Sequence, residues 1–229
     1  MIYSQLANYY DVLMTLDYTE YMMKWQQLVD FTGQDVFEFG CGTGNVTEKL
    51  LPLVNSIDAA DASSDMLMLA RQKLSSPKLR FFLIDQDFSI ERNYDKIGLF
   101  IDVVNYLPKN DFKRFLSQWK NKLKPGGEIL FDVSTEYKLS QVLGDQIFHF
   151  ETDRDEIYWI NDYDASSKQL DFSLVIYHQI GDGLYERHEE FHTQYVYTEN
   201  DIKQLAPDYT VSRYSGQERD LYILRKKTT

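Results

Sequence analysis

The chain has 229 residues, enough for one sizeable core, and its length favours one elaborated domain over two independent units. Its 36 acidic side chains outnumber 24 basic ones, a formal charge of -12 that disfavours DNA and anionic membranes as partners. A single cysteine excludes an intramolecular disulfide, the first residues lack a secretory pattern, and no apolar run approaches the roughly 18 residues of a membrane span, so a cytoplasmic protein is expected.

Met22, Trp25, Leu28 and Val29 recur at helical spacing within residues 20–31, and Gly33 follows as a stop. Val36 to Phe39 reads as a short buried strand, three glycines as its turn, and "NVTEKLLPLV" as the returning helix. The rhythm repeats. "SIDAADAS" is a strand ending in Asp61, "SDMLMLARQKL" a helix capped by Ser64, and "LRFFLIDQD" a third strand ending in carboxylates. "DKIGLFIDVVNYL" supplies a fourth strand, "DFKRFLSQWKNKL" a helix ended by Pro125-Gly126-Gly127, and "EILFDVS" a fifth strand.

Beyond about residue 135, "IFHFETD", "EIYWINDYD", "LDFSLVIYHQI" and "LYERHEEFHTQYVY" are strand-like and separated by short turns, which makes them antiparallel. "TENDIKQLA" reads as a helix capped by Thr198 and Asp201, and "YTVSRYS" with "LYILRKK" as a final hairpin. The expected architecture is α/β, with a doubly wound, Rossmann-like seven-stranded sheet. That sheet is mostly parallel with a final antiparallel hairpin, and it carries an inserted antiparallel β cap. Residues 1–134 and 196–229 would form the core of a single domain, and 135–195 the cap over its site.

In an open parallel sheet, ligands bind beyond the carboxyl ends of the strands, so the segment "VFEFGCGTGN" draws attention first. Gly40, Gly42 and Gly44 let the backbone turn tightly and approach a ligand, and Cys41 fills a small position between them. The spacing matches neither the nicotinamide fingerprint G-x-G-x-x-G nor a phosphate loop, which needs a lysine followed by Ser or Thr. An adenosine ligand without phosphates remains. Asp61, about 20 residues beyond the loop, is placed to accept from two ribose hydroxyls. Asp87 could serve an adenine amino group, and Met66 and Phe88 offer apolar surface to its ring. With Glu38 and Asp102, these acids make four carboxylates at strand ends on one edge.

These segments resemble the class I S-adenosylmethionine-dependent methyltransferases. "VFEFGCGTG" is similar to their first motif, "DAADASSDMLMLAR" to their acidic strand end and following helix, and "LIDQDF" to their adenine-site strand. "DKIGLFIDVVNYL" and "LKPGGEILFDVS" resemble their fourth and fifth strands. The resemblance implies S-adenosyl-L-methionine as cofactor, with Gly40, Cys41 and Gly42 close to it and Asp61 with Ala62 at the ribose. It also implies Asp87 and Phe88 beside adenine, Asp102 near the methionine end, and Tyr10 covering the cofactor from the amino terminus. "FDVSTEYK", the antiparallel insertion and "LYERHEEFHTQYVYT" resemble a bacterial subgroup related to glycine and deoxysugar N-methyltransferases, which suggests a small acceptor under a β cap.

The acceptor chemistry is narrowed by absences. Base C5 methylation needs a cysteine nucleophile, and Cys41 sits in the glycine loop. Exocyclic amino methylation of bases carries an Asn/Asp-Pro-Pro-aromatic motif after the fourth strand, where this chain has Asp102-Val103-Val104-Asn105-Tyr106. In the cap, Glu186, His188, Glu190, His192 and Gln194 alternate onto one face, and Tyr185, Arg187, Phe191, Thr193 and Tyr195 onto the other. The first face is a solvated sheet face or a pocket wall in which His192 or His188 orients or deprotonates an acceptor, with Arg187 and Tyr195 as further candidates. His188, Glu190 and His192 also have metal-ligand chemistry, but no metal is expected. The leading expectation is methyl transfer to N or O of a small molecule by a monomer or homodimer. A non-catalytic cofactor-binding protein and an RNA or protein methyltransferase that needs a partner remain the alternatives.

Overall fold

Strands buried on both faces read as near-continuous apolar runs, and the first strand shows what that produces. The computed structural model describes residues 6–14 and 16–227. Two helices, α1 (Leu6–Leu13) and α2 (Tyr18–Leu28), lead to β1 (Asp35–Phe39), where Val36 and Phe37 are both fully buried on opposite faces. Phe37 joins an aromatic cluster, its ring 4.4 Å from Trp119 and 5.3 Å from Tyr94. Val36 instead packs with Trp25, Leu50, Ile57 and Phe100 on the other side.

The chain continues through α3 (Asn45–Leu50), β2 (Ser56–Asp61), α4 (Ser64–Lys73), β3 (Leu79–Leu83), β4 (Tyr94–Leu99), α5 (Lys109–Trp119) and β5 (Leu123–Ser134). Then follow β6 (Ile147–Glu151), β7 (Asp155–Asp164), β8 (Gln169–Gly181), β9 (Leu184–Tyr195), α6 (Glu199–Leu205), β10 (Tyr209–Tyr214) and β11 (Arg219–Lys226). Seven strands form one sheet in the order β10-β11-β5-β4-β1-β2-β3, and β6-β7-β8-β9 form a separate sheet. Strands β1 to β5 pair in parallel, while β11 runs antiparallel to both β5 and β10. This is the α/β fold expected of the sequence. The order reverses between β1 and β4, which opens a crevice at their carboxyl ends.

Several local expectations change. Helix α1 was not anticipated, and neither was the π-helical turn Lys138–Leu143. Strand β5 begins at Leu123, so Pro125-Gly126-Gly127 lies inside the strand, where the β4–β5 register shifts between Tyr94 and Lys96. Strand β3 is an edge strand whose pairing with β2 stops at Leu83 opposite Asp61, so Asp87 falls in the following loop. The cap of α4 is Ser63, whose hydroxyl accepts from the Met66 amide. The Thr198–Asp201 capping box of α6 forms as the sequence indicates. Among the described residues, no helix is long and apolar enough to cross a membrane.

Candidate active site

The turn after β1 needs its glycines for two different reasons. Gly40 has φ +75°, and a Cβ there would stand 2.7 Å from Val103 Cγ2, so no side chain fits. Gly42 has φ +54°, and its Cβ would project into open space. That space belongs to a cavity of about 480 Å³ at the carboxyl ends of β1, β2 and β4, a size typical of small-molecule sites.

Asp61, at the end of β2, accepts from the Gly42 amide at 2.8 Å through one oxygen and from the Ser63 amide at 2.8 Å through the other. Burial pushes its pKa up while these amides and that of Ala62 pull it back. Glu38 lies deeper. It is buried and accepts from Thr47 Oγ1 at 2.6 Å, and desolvation raises its pKa to about 8. The Cys41 thiol is buried too, and desolvation drives its pKa well above the ordinary range. Metal binding has little to work with, since among the described residues no three His, Cys, Asp or Glu side chains converge.

Tyr10 of helix α1 and Met14, just past its end, close one side of the cavity, so that α1 forms part of its wall. The helix is tied to the glycine turn by Asp11, which accepts from Thr43 Oγ1 at 2.7 Å and Asn45 Nδ2 at 2.9 Å and pairs with the Lys73 ammonium. Its other face meets the cap, where Tyr9 donates to Asp155 Oδ1 at 2.8 Å.

The end of β4 is strained. Ile101 and Asp102 both adopt left-handed backbone, with φ +60° and +63°, although neither is glycine. Each such residue costs on the order of 1–3 kcal/mol and persists only where its surroundings over-determine it. Here the buried Asp132 of β5 accepts from the Ile101 amide at 2.7 Å, the Asp102 amide at 3.3 Å and the Tyr21 hydroxyl at 2.9 Å. Asp102 lines the cavity and accepts from Ser134 Oγ at 2.6 Å. Burial opposes its charge, but Arg219 and Lys138 outweigh that and hold its pKa well below the usual carboxylate range.

The cap closes the opposite wall with Trp159 and the last residues of β9, Phe191 to Tyr195. His192 is buried, stacked on Phe172 with ring centroids 4.9 Å apart, and its Nε2 lies 3.5 Å from Glu190 Oε2. Gln194 is also buried, and its Oε1 has no hydrogen-bond partner among the described residues. Asn105 bolts this wall to the core by donating to the carbonyls of Ser134 at 3.2 Å and Tyr195 at 2.9 Å.

Of the residues singled out in the sequence, Tyr10, Glu38, Gly40, Cys41, Gly42, Asp61, Ala62, Met66, Asp102, His192 and Tyr195 line this one cavity. Four others do not. Asp87 is exposed in the loop, where its amide donates to Asp85 Oδ1 at 3.0 Å, and Phe88 turns into the aromatic cluster against Phe37 and Trp119. Ile84 takes their place at the wall. His188 sits opposite Ile176, short of the cavity, because the inner face of β9 becomes buried only at His192. Arg187 points to the outer face of the cap, where it pairs with Glu189 at 2.6 Å beside Tyr177 and Tyr185. Asp11, Lys138, Tyr106, Trp159, Asp132 and Arg219 went unnoticed, and only Asp11, beside Tyr10, carried a local signal.

Residues 36–127 match the model of a methyltransferase domain family. A Bacillus subtilis protein assigned to the methyltransferases is 28% identical over 100% of this chain and 98% of its own length. The crystal structure of an S-adenosylmethionine-dependent methyltransferase from Clostridium acetobutylicum is 28% identical, covers 99% of both chains and superposes with a TM-score of 0.81. These likenesses support an S-adenosylmethionine-dependent methyltransferase with the class I fold. A sugar N-methyltransferase from Streptoalloteichus shares the methyltransferase's fold at 13% identity, with a TM-score of 0.77 over 100% of this chain and 94% of that one. The likeness to both structures thus extends over nearly the whole chain, beyond the segment that the domain family matches.

Proposed function

We propose that this methyltransferase transfers a methyl group from S-adenosylmethionine to N or O of a small molecule held beneath the cap. The observation that carries the reading is the continuity of one cavity from Gly40–Gly42 and Asp61 to His192–Tyr195, so donor and acceptor share one enclosure. In this reading residues 1–134 and 196–229 form the core that binds the donor, and 135–195 the cap that shapes the acceptor half. When bound, the sulfonium supplies an activated methyl carbon, to which the acceptor's lone pair bonds as the carbon–sulfur bond breaks, leaving S-adenosylhomocysteine.

The chain's own residues bind, orient and exclude water, which is most of what a direct displacement requires. Asp61, at the cavity end of β2, accepts from the ribose hydroxyls. Gly40, Cys41 and Gly42 allow close backbone approach, Ala62, Met66 and Ile84 border the base, and Tyr10 covers the ligand. Asp102 stays ionised toward the methionine end. It is therefore a poor base, and His192 takes the acceptor's proton, with Glu190 placed to stabilise the imidazolium. Lys138 is the only lysine or arginine among the described residues lining the cavity, which favours a small acceptor over a polyanion.

Titration with S-adenosylhomocysteine, with NAD as control, tests the donor half. Micromolar binding of the first alone is expected, and binding of neither overturns the reading. Incubation with S-adenosylmethionine and a panel of amines and hydroxyl compounds then tests the acceptor half through product formation. A panel methylating only nucleic acid or protein would overturn the small-molecule assignment.

A further inference from the structure

Arg219 is the residue whose position the fold explains least by stability alone. It begins β11, the last strand of the sheet, yet its side chain is 16% exposed and reaches the carboxyl end of β4. Its guanidinium pairs with Asp102 at 2.7 Å and 3.0 Å, pairs also with Asp132, and lies 5.8 Å over the Tyr21 ring. One planar cation thus bridges the carboxylate that fixes the Ile101–Asp102 turn and the carboxylate that faces the cavity. A planar fork with several donors suits such bridging far better than a lysine ammonium does.

Two buried carboxylates this close would repel, and one would take up a proton if they shared no cation. The groups that face Asp102 are Arg219 from β11, Lys138 from the π-helical turn at 3.5 Å, Asp132 and Ser134 from β5, Tyr10 from α1 and Tyr21 from α2. With Arg219 in place the two acids and two bases balance. Without it Lys138 pairs with Asp102 alone, and Asp132, the anchor of the left-handed turn, loses its cation.

We propose that Arg219 is a positioning residue for the donor: it holds Asp102 ionised and fixed so that the carboxylate receives the ammonium of the cofactor's amino-acid end. This rests on the reading of the cavity as the S-adenosylmethionine site. Arg219 itself touches no ligand in this scheme and acts through Asp102.

Calorimetric titration of the full chain with S-adenosylhomocysteine and with 5′-methylthioadenosine, which lacks the amino-acid end, separates this role from a structural one. Arg219→Gln is expected to lose about tenfold in affinity for S-adenosylhomocysteine, the scale of one charge-assisted hydrogen bond, and to keep its affinity for methylthioadenosine. The loss deepens from about pH 8 to about pH 6, because burial lets Asp102 take up a proton once the guanidinium is gone. Arg219→Lys restores the charge without the fork and is expected to recover part of the affinity. Ser134→Ala, which removes only the hydroxyl that donates to Asp102, is expected to show the same selectivity to a smaller degree, and it decides the matter if Arg219→Gln does not fold.

An equal loss for both nucleosides, or none for either, overturns the proposal. Wild-type protein that binds neither nucleoside overturns the cavity assignment instead.

Discussion

The two sheets meet at one cavity and face it with different materials. The seven-stranded sheet offers backbone turns and carboxylates already engaged by amides or cations, as at Gly42, Asp61 and Asp102. The cap offers rings and an amide side chain, namely Trp159, His192, Tyr195 and Gln194, carried on strands that present most of their other face to solvent. A site built from backbone is hard to alter without disturbing the fold, whereas a wall of side chains can change its contacts one residue at a time. The proposed donor half should therefore resist substitution more than the proposed acceptor half, and the following variants probe that difference.

The largest effect belongs to the core. Phe37→Ala empties the centre of the aromatic cluster and should cost about 3–5 kcal/mol in urea unfolding. His192→Ala should slow transfer by about a hundredfold while S-adenosylhomocysteine affinity stays the same. A loss of nucleoside affinity there would erase the division between the two halves. Asp61→Ala, by contrast, should weaken nucleoside binding by about 1–3 kcal/mol, and unchanged affinity would remove Asp61 from the site.

Glu38 gives the comparison a pH axis. Its folded pKa is raised to about 8, above that of an unfolded glutamate, so the folded chain holds a proton that the unfolded chain releases. Its contribution to stability is present at low pH and is lost as pH rises from the ordinary glutamate value through about 8. Unfolding curves across that window should converge less steeply for Glu38→Gln than for the wild type, and identical slopes would mean that Glu38 is already ionised. The smallest effect is expected at Arg187→Ala, on the outer face of the cap, where neither nucleoside affinity nor transfer should change.

Periodicity carried the fold because the strands of the core are short, apolar and punctuated by Gly, Asp and Pro, and the strands of the cap by turn residues. The cavity residues at the strand ends were legible for the same reason, since ligands in such sheets collect where strands end. Asp87 and Phe88 fell outside because an edge strand stops where its single neighbour stops, a boundary that no local pattern encodes. His188 and Arg187 fell outside because alternation assigns faces but does not say how far along β9 the cavity begins. Asp132 and Arg219 escaped notice altogether. They lie 30 or more residues from the turn they hold, and their pairing exists only once β11 has docked on β5.

The burial of Cys41 has a practical side. A thiol enclosed in the glycine turn and reluctant to ionise reacts slowly with maleimides and disulfide reagents, which attack through the thiolate. The natural sequence is therefore close to a blank background for site-directed labelling. A cysteine introduced on the exposed side of α2 and another on the outer face of β7 could carry a spectroscopic ruler across the cavity, without first removing the one that nature left inside it.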